Sequence, residues 1–341
     1  MKILILKPSS LGDVIQALPV LRLLKLHFRQ AEIYWWIDSA LAPLLEGDPD
    51  LTQVVLFERR RWAKPQHWPE MLRSILWLRD QKFDLVIDLQ CLLRSGIFAW
   101  LSNGKFLIGL DEMREGARGF YDEAVPRASF HTHAVDWYLS VLPRLGVEAH
   151  KNFTWIPERP AVAAAVKSKW QTDDASWIAI QPGARWNNKR WPVEKFSRLV
   201  QLLAQKFPDA RFAILGSKED KPLADAIAKT ESSRCLNLCG ITSLPEMIEW
   251  VRLSRLMITN DTGPMHVAAA LGKPVVGLFG PTEPRRTGPY GQMENVLQLN
   301  LPCSPCLKDT CHYEKPEECL RALPPEAAFQ KAVQILTASP A

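Results

Sequence analysis

The residues best suited to holding an anion are Asn260-Asp261-Thr262-Gly263. An apolar run ends at Thr259, Pro264 follows the tetrapeptide, and an Ala-rich segment runs to Leu271 before Gly272 and Pro274 stop it. Proline at the start and glycine just past the end mark a helix, and 275–279 reads as the strand after it. The loop thus presents the free N–H groups of a helix N-terminus with no side chain at Gly263, and such an end favours a phosphate. His266 lies over the same turn. The same residues also fit a plain βαβ unit in which Asp261 is an N-cap. Two further loops follow strands of the same half, where open α/β sheets bind ligands. One has small residues at Gly183 and Ala184, then Arg185, and ends at Lys189, a point charge suited to a diphosphate. The other holds Glu219, with Asp220 beside it, where an acid commonly accepts bonds from ribose hydroxyls; either also suits the first turn of the next helix.

The run 260–270, NDTGPMHVAAA, resembles the donor-binding signature of glycosyltransferase family 9, which contains the lipopolysaccharide heptosyltransferases. Lys7-Pro8-Ser9-Ser10-Leu11-Gly12-Asp13 with 14–19, and Gln181-Pro182-Gly183-Ala184-Arg185 with Lys189 and Trp191-Pro192, are two further matches. The resemblance runs from residue 1 to about 335. It implies a GT-B fold and an inverting, metal-independent transfer that needs no cofactor. The donor implied is ADP-L-glycero-β-D-manno-heptose, and the acceptor is Kdo-lipid A or the growing lipopolysaccharide core. By the same resemblance Asp13 is the general base and Lys189 meets the donor phosphate; with the loop arguments above, Gly183, Ala184, Arg185, Lys189, Glu219, Asp261, Thr262, Gly263 and His266 are assigned to the donor. Ser10, Gly12, Arg60, Arg61 and Arg94 are assigned to the acceptor. From the residues alone, Asp13 also reads as a helix cap. Two departures touch local contacts: hydroxyl residues are usual where Ala184 and Arg185 stand, and glycine where Cys91 stands. Rival readings are addition of the second heptose, a relative using another nucleotide sugar, a GT-B nucleotide-sugar epimerase, and a binding protein without activity. An acid at position 13 argues against the last.

The elements that would position these loops alternate. Strands are expected at 2–6, 32–37, 53–57, 83–89 and 105–110, with helices at 14–28, 71–78 and 131–145. Pro19 must either kink its helix or begin the regular part. The pattern restarts with a strand at 177–181, a helix at 193–207, a strand at 211–215 and a helix at 243–255 that Ser243 and Glu246 can open with a capping box. The expected architecture is α/β: two doubly wound Rossmann-like domains, 1–155 for acceptor and 156–341 for donor, facing across a cleft, with the connection at 150–175. No Gly-x-Gly-x-x-Gly follows the first strand of either half and no P-loop occurs, which disfavours a dinucleotide oxidoreductase or an NTPase.

Composition is that of a globular protein: 341 residues, 47% hydrophobic, 23% charged, formal net charge +5. No Lys/Arg run is long enough for a nucleic-acid stripe, whereas a mildly basic chain suits an acidic substrate or an anionic membrane. With no apolar run of spanning or leader length, a cytoplasmic protein peripherally associated with the inner face of the cytoplasmic membrane is expected. Arg59, Arg60, Arg61, Lys64, Arg94, Arg114 and Arg118 read as a solvated face, of which one or two could recognise acceptor carboxylate or phosphate. Six of the thirteen tryptophans fall in the first hundred residues, as core or as an amphiphilic interface. Cys303, Cys306, Cys311 and Cys319 are spaced Cys-x2-Cys-x4-Cys-x7-Cys, which fits a zinc clamp or, with no metal, free thiols packing a loop. Their distance in sequence from the chemical loops gives them no catalytic role.

Overall fold

In the structure, a computed structural model, residues 1–112, 115–172 and 175–338 are described. They form two compact units, Met1–Pro157 and Glu158–Ala341.

The first unit is built on six strands, β1 (Lys2–Leu6), β2 (Glu32–Asp38), β3 (Gln53–Phe57), β4 (Leu85–Asp88), β5 (Leu107–Asp111) and β6 (Glu123–Pro126). All are parallel, in the order β3-β2-β1-β4-β5-β6. Its helices are α1 (Leu11–His27), α2 (Arg59–Trp62), α3 (Trp68–Asp80), α4 (Leu93–Leu101) and α5 (Ala134–Leu139). The central strands are buried over nearly their whole length, which is why they read as continuous apolar runs. Helix α1 is buried from 14 to 24 and carries Pro19 in its interior, so packing on the sheet overrides the proline rather than letting it set a boundary. Arg22, buried on α1, holds Asp48 and Asp50 through Nη1 at 2.6 Å each and the Trp155 carbonyl through Nε at 3.1 Å. The helix expected at 131–145 is shorter. The His133 side chain accepts the Val135 N–H at 3.2 Å and starts α5 there, and Pro143, which has no N–H to donate, opens only a short 3-10 turn.

The second unit repeats the plan with β7 (Ser176–Gln181), β8 (Ala210–Ile214), β9 (Cys235–Asn237), β10 (Leu256–Asn260), β11 (Val275–Phe279) and β12 (Val296–Gln298). The order is β12-β11-β10-β7-β8-β9, again all parallel, and counted from its own first strand it is the order of the first unit. Its helices are α6 (Pro160–Trp170), α7 (Val193–Lys206), α8 (Lys221–Ala228), α9 (Leu244–Leu253), α10 (Gly263–Ala270), α11 (Pro284–Thr287), α12 (Glu318–Arg321) and α13 (Pro325–Ala338). Helix α6 corrects the reading of 150–175 as a plain connection. It packs on α9 through a Trp170–Trp250 edge contact at 5.8 Å and a Lys169–Glu246 ion pair at 2.9 Å. The Ser243–Glu246 capping box does open α9.

Each sheet reverses its winding beside its first strand, between β1 and β4 in one unit and between β7 and β10 in the other. Loops leaving the carboxyl ends of such a strand pair form the crevice in which open α/β sheets bind ligands.

Candidate active site

In the second unit the switch point carries the loop after β7, residues 182–191, and the loop after β10, residues 261–263. Asn260, fully buried at the end of β10, ties them together: its Nδ2 donates to the Pro182 carbonyl at 2.7 Å and its Oδ1 accepts the Trp191 N–H at 3.0 Å. Held in this way, Lys189 reaches Asp261, with Nζ 2.7 Å from Oδ2, and lies 4.5 Å from the Trp186 ring centroid. Thr282, in the loop after β11, donates to the same carboxylate oxygen at 2.7 Å. The N-cap position of α10 belongs to Thr262, so Asp261 serves Lys189 and Thr282 instead. Thr262 and Gly263 are partly exposed at that helix end, and His266 is buried one turn on.

Gly183 is required by a close approach: a Cβ there would run into the Asp220 carboxylate. Asp220 is buried and accepts the Ser217 N–H at 3.0 Å and its hydroxyl at 2.9 Å, with an Arg190 nitrogen at 3.8 Å. Glu219 is exposed on the same turn; its own backbone N–H, then the Ser217 hydroxyl, hold its carboxyl below the ordinary range. Ala184 is buried and its carbonyl accepts Arg190 Nε at 2.8 Å, whereas Arg185 points to solvent. The structure therefore joins Lys189, Asp261 and the α10 end in one cluster, sets Gly183 against Asp220, and leaves Arg185 and Glu219 at its exposed margin.

The four late cysteines, all free, line one cavity of about 180 Å³ together with Asn188, Lys308 and His312. The spacing in sequence had suggested a place apart from the chemical loops; the fold corrects that. Asn188, next to Lys189, donates to the Lys308 carbonyl at 2.8 Å, the Leu307 N–H donates to the Pro281 carbonyl at 2.7 Å, and Ser304 Oγ donates to the Gly280 carbonyl at 2.7 Å. The cysteine loop is thus a brace behind both the Lys189 loop and the Thr282 loop. Among the described residues no three His, Cys, Asp or Glu side chains stand arranged to hold a metal ion. Burial, and then the neighbouring Cys303, Cys311 and Cys306, push the Cys319 thiol up to about 11.

In the first unit Asp13 lies in the first turn of α1, directly after β1. Its Oδ2 accepts the Ser10 N–H at 2.9 Å and the Ser10 hydroxyl at 2.7 Å, and its Oδ1 accepts the Tyr138 hydroxyl at 3.2 Å. Burial, then the Asp13 charge, hold Tyr138 well above the ordinary phenol range, so it stays a neutral donor. Gly12 is buried and Ser10 exposed. Lys7, itself buried, sits 4.8 Å from the Tyr138 ring centroid and donates to the Leu89 carbonyl at 3.0 Å, bridging the ends of β1 and β4. After β4, Cys91 adopts φ +52°, the left-handed region that explains why glycine is usual there. Its N–H and that of Gln90 bond the buried Asp88, whose carboxyl burial pushes upward, and its own thiol is pushed up to about 12 by burial.

Of the acceptor candidates, Arg60 is exposed on α2, Arg61 is paired with Glu70 at 2.7 Å, and Arg94 is exposed on the first turn of α4. Arg118 pairs with Asp111 at 2.9 Å, and Arg114 lies outside the described residues. Sequence reasoning named Asn260 only as part of the anion loop, not as the tie between loops, and gave no role to Thr282 or Tyr138. Thr282 could have been found as a polar residue past a strand's carboxyl end. Tyr138, 125 residues from Asp13, left no such signal.

The class follows from this architecture. Over 99% of both chains the fold matches Escherichia coli ADP-heptose LPS heptosyltransferase II with a TM-score of 0.78 at 21% identity. It matches E. coli heptosyltransferase WaaC, solved with ADP, at 0.77 and 23% identity, over 98% of this chain and 100% of that one. The fold is the GT-B fold of glycosyltransferases. Within that class the chain belongs to glycosyltransferase family 9 (heptosyltransferase), whose family model matches residues 71–316. It is 30% identical to lipopolysaccharide heptosyltransferase 1 of Pseudomonas aeruginosa over 334 residues, 93% of this chain and 89% of that one. It is 27% identical to lipooligosaccharide heptosyltransferase 2 of Campylobacter jejuni over 98% of each.

Proposed function

We propose that this heptosyltransferase adds the first heptose to the Kdo-bearing inner core of lipopolysaccharide, taking it with inversion from ADP-L-glycero-β-D-manno-heptose. The observation that carries the reading is the Lys189–Asp261–Thr282 cluster at the open end of α10. A diphosphate arriving there meets free helix N–H groups and an ammonium that can exchange Asp261 for phosphate oxygens. The buffered charge on the departing ADP then needs no cation, with Arg185 at the margin as a further source of positive charge. Glu219 is assigned to the ribose hydroxyls, and Gly183, Ala184, Thr262, Gly263 and His266 to the walls of the donor site.

Asp13 is the general base in this reading. Its Oδ2 accepts both Ser10 donors and its Oδ1 accepts the Tyr138 hydroxyl, bonds that hold the carboxylate in place to take the acceptor proton. As the acceptor oxygen attacks the anomeric carbon, its proton passes to the Asp13 carboxylate and the bond from that carbon to the ADP oxygen breaks. Ser10, Gly12, Arg60, Arg61 and Arg94 are assigned to the acceptor, the arginines to its carboxylate or phosphate groups. The nearness to a type 1 relative supports addition of the first heptose. Because the acceptor is anchored in lipid, the protein works at the inner face of the cytoplasmic membrane; no helix among the described residues is long and apolar enough to cross one.

Mass spectrometry of Kdo-lipid A incubated with the protein and ADP-heptose tests the reading: the product should be heavier by one heptose. Donor conversion without acceptor would mark an epimerase instead. Turnover should persist in EDTA, and complete loss reversed by Mg²⁺ would overturn the metal-independent assignment.

A further inference from the structure

We propose that the outward side of α3, with the basic turn before it, docks the protein on an anionic lipid bilayer. This rests on the reading that the acceptor is lipid-borne, and it names the surface that meets the lipid. The inner side of α3 is ordinary: Ile75 and Leu78 are buried, and Met71 and Trp77 pack against the same core, with Trp77 edge-on to Tyr34 at 6.2 Å. The outer side is not. Trp68, Leu72 and Leu76 follow one another at four-residue steps, exposed by 55%, 55% and 52%. They form a single apolar row about 12 Å long. Apolar residues scattered singly on a surface are common, but a row led by tryptophan is the pattern of a helix lying in a membrane interface.

The charges around the row select the lipid. Residues 58–80 contain six Lys and Arg against three Asp and Glu, a net +3 in a chain whose total is +5. Arg59, Arg60, Lys64, Arg73 and Arg79 are all exposed. Of the three acids, Glu70 is engaged by Arg61 at 2.7 Å and His67 at 3.2 Å, and Glu58 accepts the Ser39 hydroxyl at 3.0 Å. The Arg61–Glu70 pair also fixes the α2 turn beside the start of α3, so the cations flank Trp68. Cations beside an exposed apolar row match lipid phosphates above acyl chains. A second copy of this chain fits poorly, because a two-fold contact through the row would bring the same cations face to face.

The test is flotation of the full-length protein, without substrate, on phosphatidylglycerol–phosphatidylcholine vesicles and on pure phosphatidylcholine vesicles. Expected is salt-sensitive flotation on the anionic vesicles alone. It should fall at least about tenfold in the double variant Leu72→Glu/Leu76→Glu, as two side chains lose their apolar burial. Both positions are exposed, so melting should match the parent, and heptose transfer to a delipidated Kdo acceptor should be kept. Equal flotation of variant and parent, or of the parent on both vesicles, overturns the proposal. So does a parent dimer in sedimentation that the variant loses, which would make the row an interface between copies. If the parent floats as expected but does not use the delipidated acceptor, it is the transferase reading that fails.

Discussion

At the scale of single residues, the proposed mechanism divides the chemistry between Asp13 and Lys189, and each has a bland rival. As a cap alone, Asp13 would be worth about 1 kcal/mol of stability; as a base, its loss should slow turnover by about 10²–10⁴-fold. Asp13→Asn separates the two because its amide oxygen can still accept from Ser10. It should bind ADP and melt as the parent does yet turn over very slowly; a kcat within a few-fold of the parent would leave Asp13 a cap. Lys189→Ala should weaken ADP binding in calorimetry by about 1.5–3 kcal/mol, the range for a bond to a charged group. Unchanged affinity would take Lys189 out of the donor site. Both residues were legible in sequence because each stands in a short motif at a strand end. Their partners were not equally so: the motif that holds Asp261 cannot show that Lys189 and Thr282 satisfy it, since those contacts span 72 and 21 residues.

At the scale of elements, the strands flanked by turn signals were readable, and the missed strands share a cause. Strands β9 and β12 have three residues each, and β6 has four with a charged first position, too short for any period to emerge. Helix α1 was cut short in prospect because Ser9 to Gly12 looked like loop, yet the chain turns helical at Leu11 as Ser10 and Asp13 satisfy one another. Beyond its apolar packing, α1 is tied to its unit by a contact less visible still: one buried guanidinium, Arg22, spanning Asp48, Asp50 and the Trp155 carbonyl. Removing one side of a buried charge pair leaves the other uncompensated. Arg22→Met should therefore cost about 3–5 kcal/mol in urea unfolding, and adding Asp48→Leu should restore much of it. A loss under 1 kcal/mol in the single variant would mean that water reaches the carboxylates.

At the scale of the whole molecule, thiols withdrawn from solvent should lower stability at alkaline pH. Burial pushes Cys91, Cys235 and Cys239 up to about 12 and Cys319 up to about 11. Above roughly pH 8.5 the unfolded chain sheds these protons while the folded one keeps them, so the unfolded state binds fewer and stability falls as pH rises. Below that pH the four contribute nothing. The melting temperature should drop between pH 8 and 10, and Cys91→Ala should show a shallower drop than the parent; parallel slopes would exclude Cys91. The shared strand order has a different consequence, one of time. In each unit the first strand made ends in the middle of its sheet, so no partial sheet is finished until its last outer strand arrives. During synthesis the first unit acquires β6 by residue 126 and its Arg22–Trp155 tie soon after, before any strand of the second unit has been translated. A chain growing from its N-terminus therefore carries only one incomplete parallel sheet at a time.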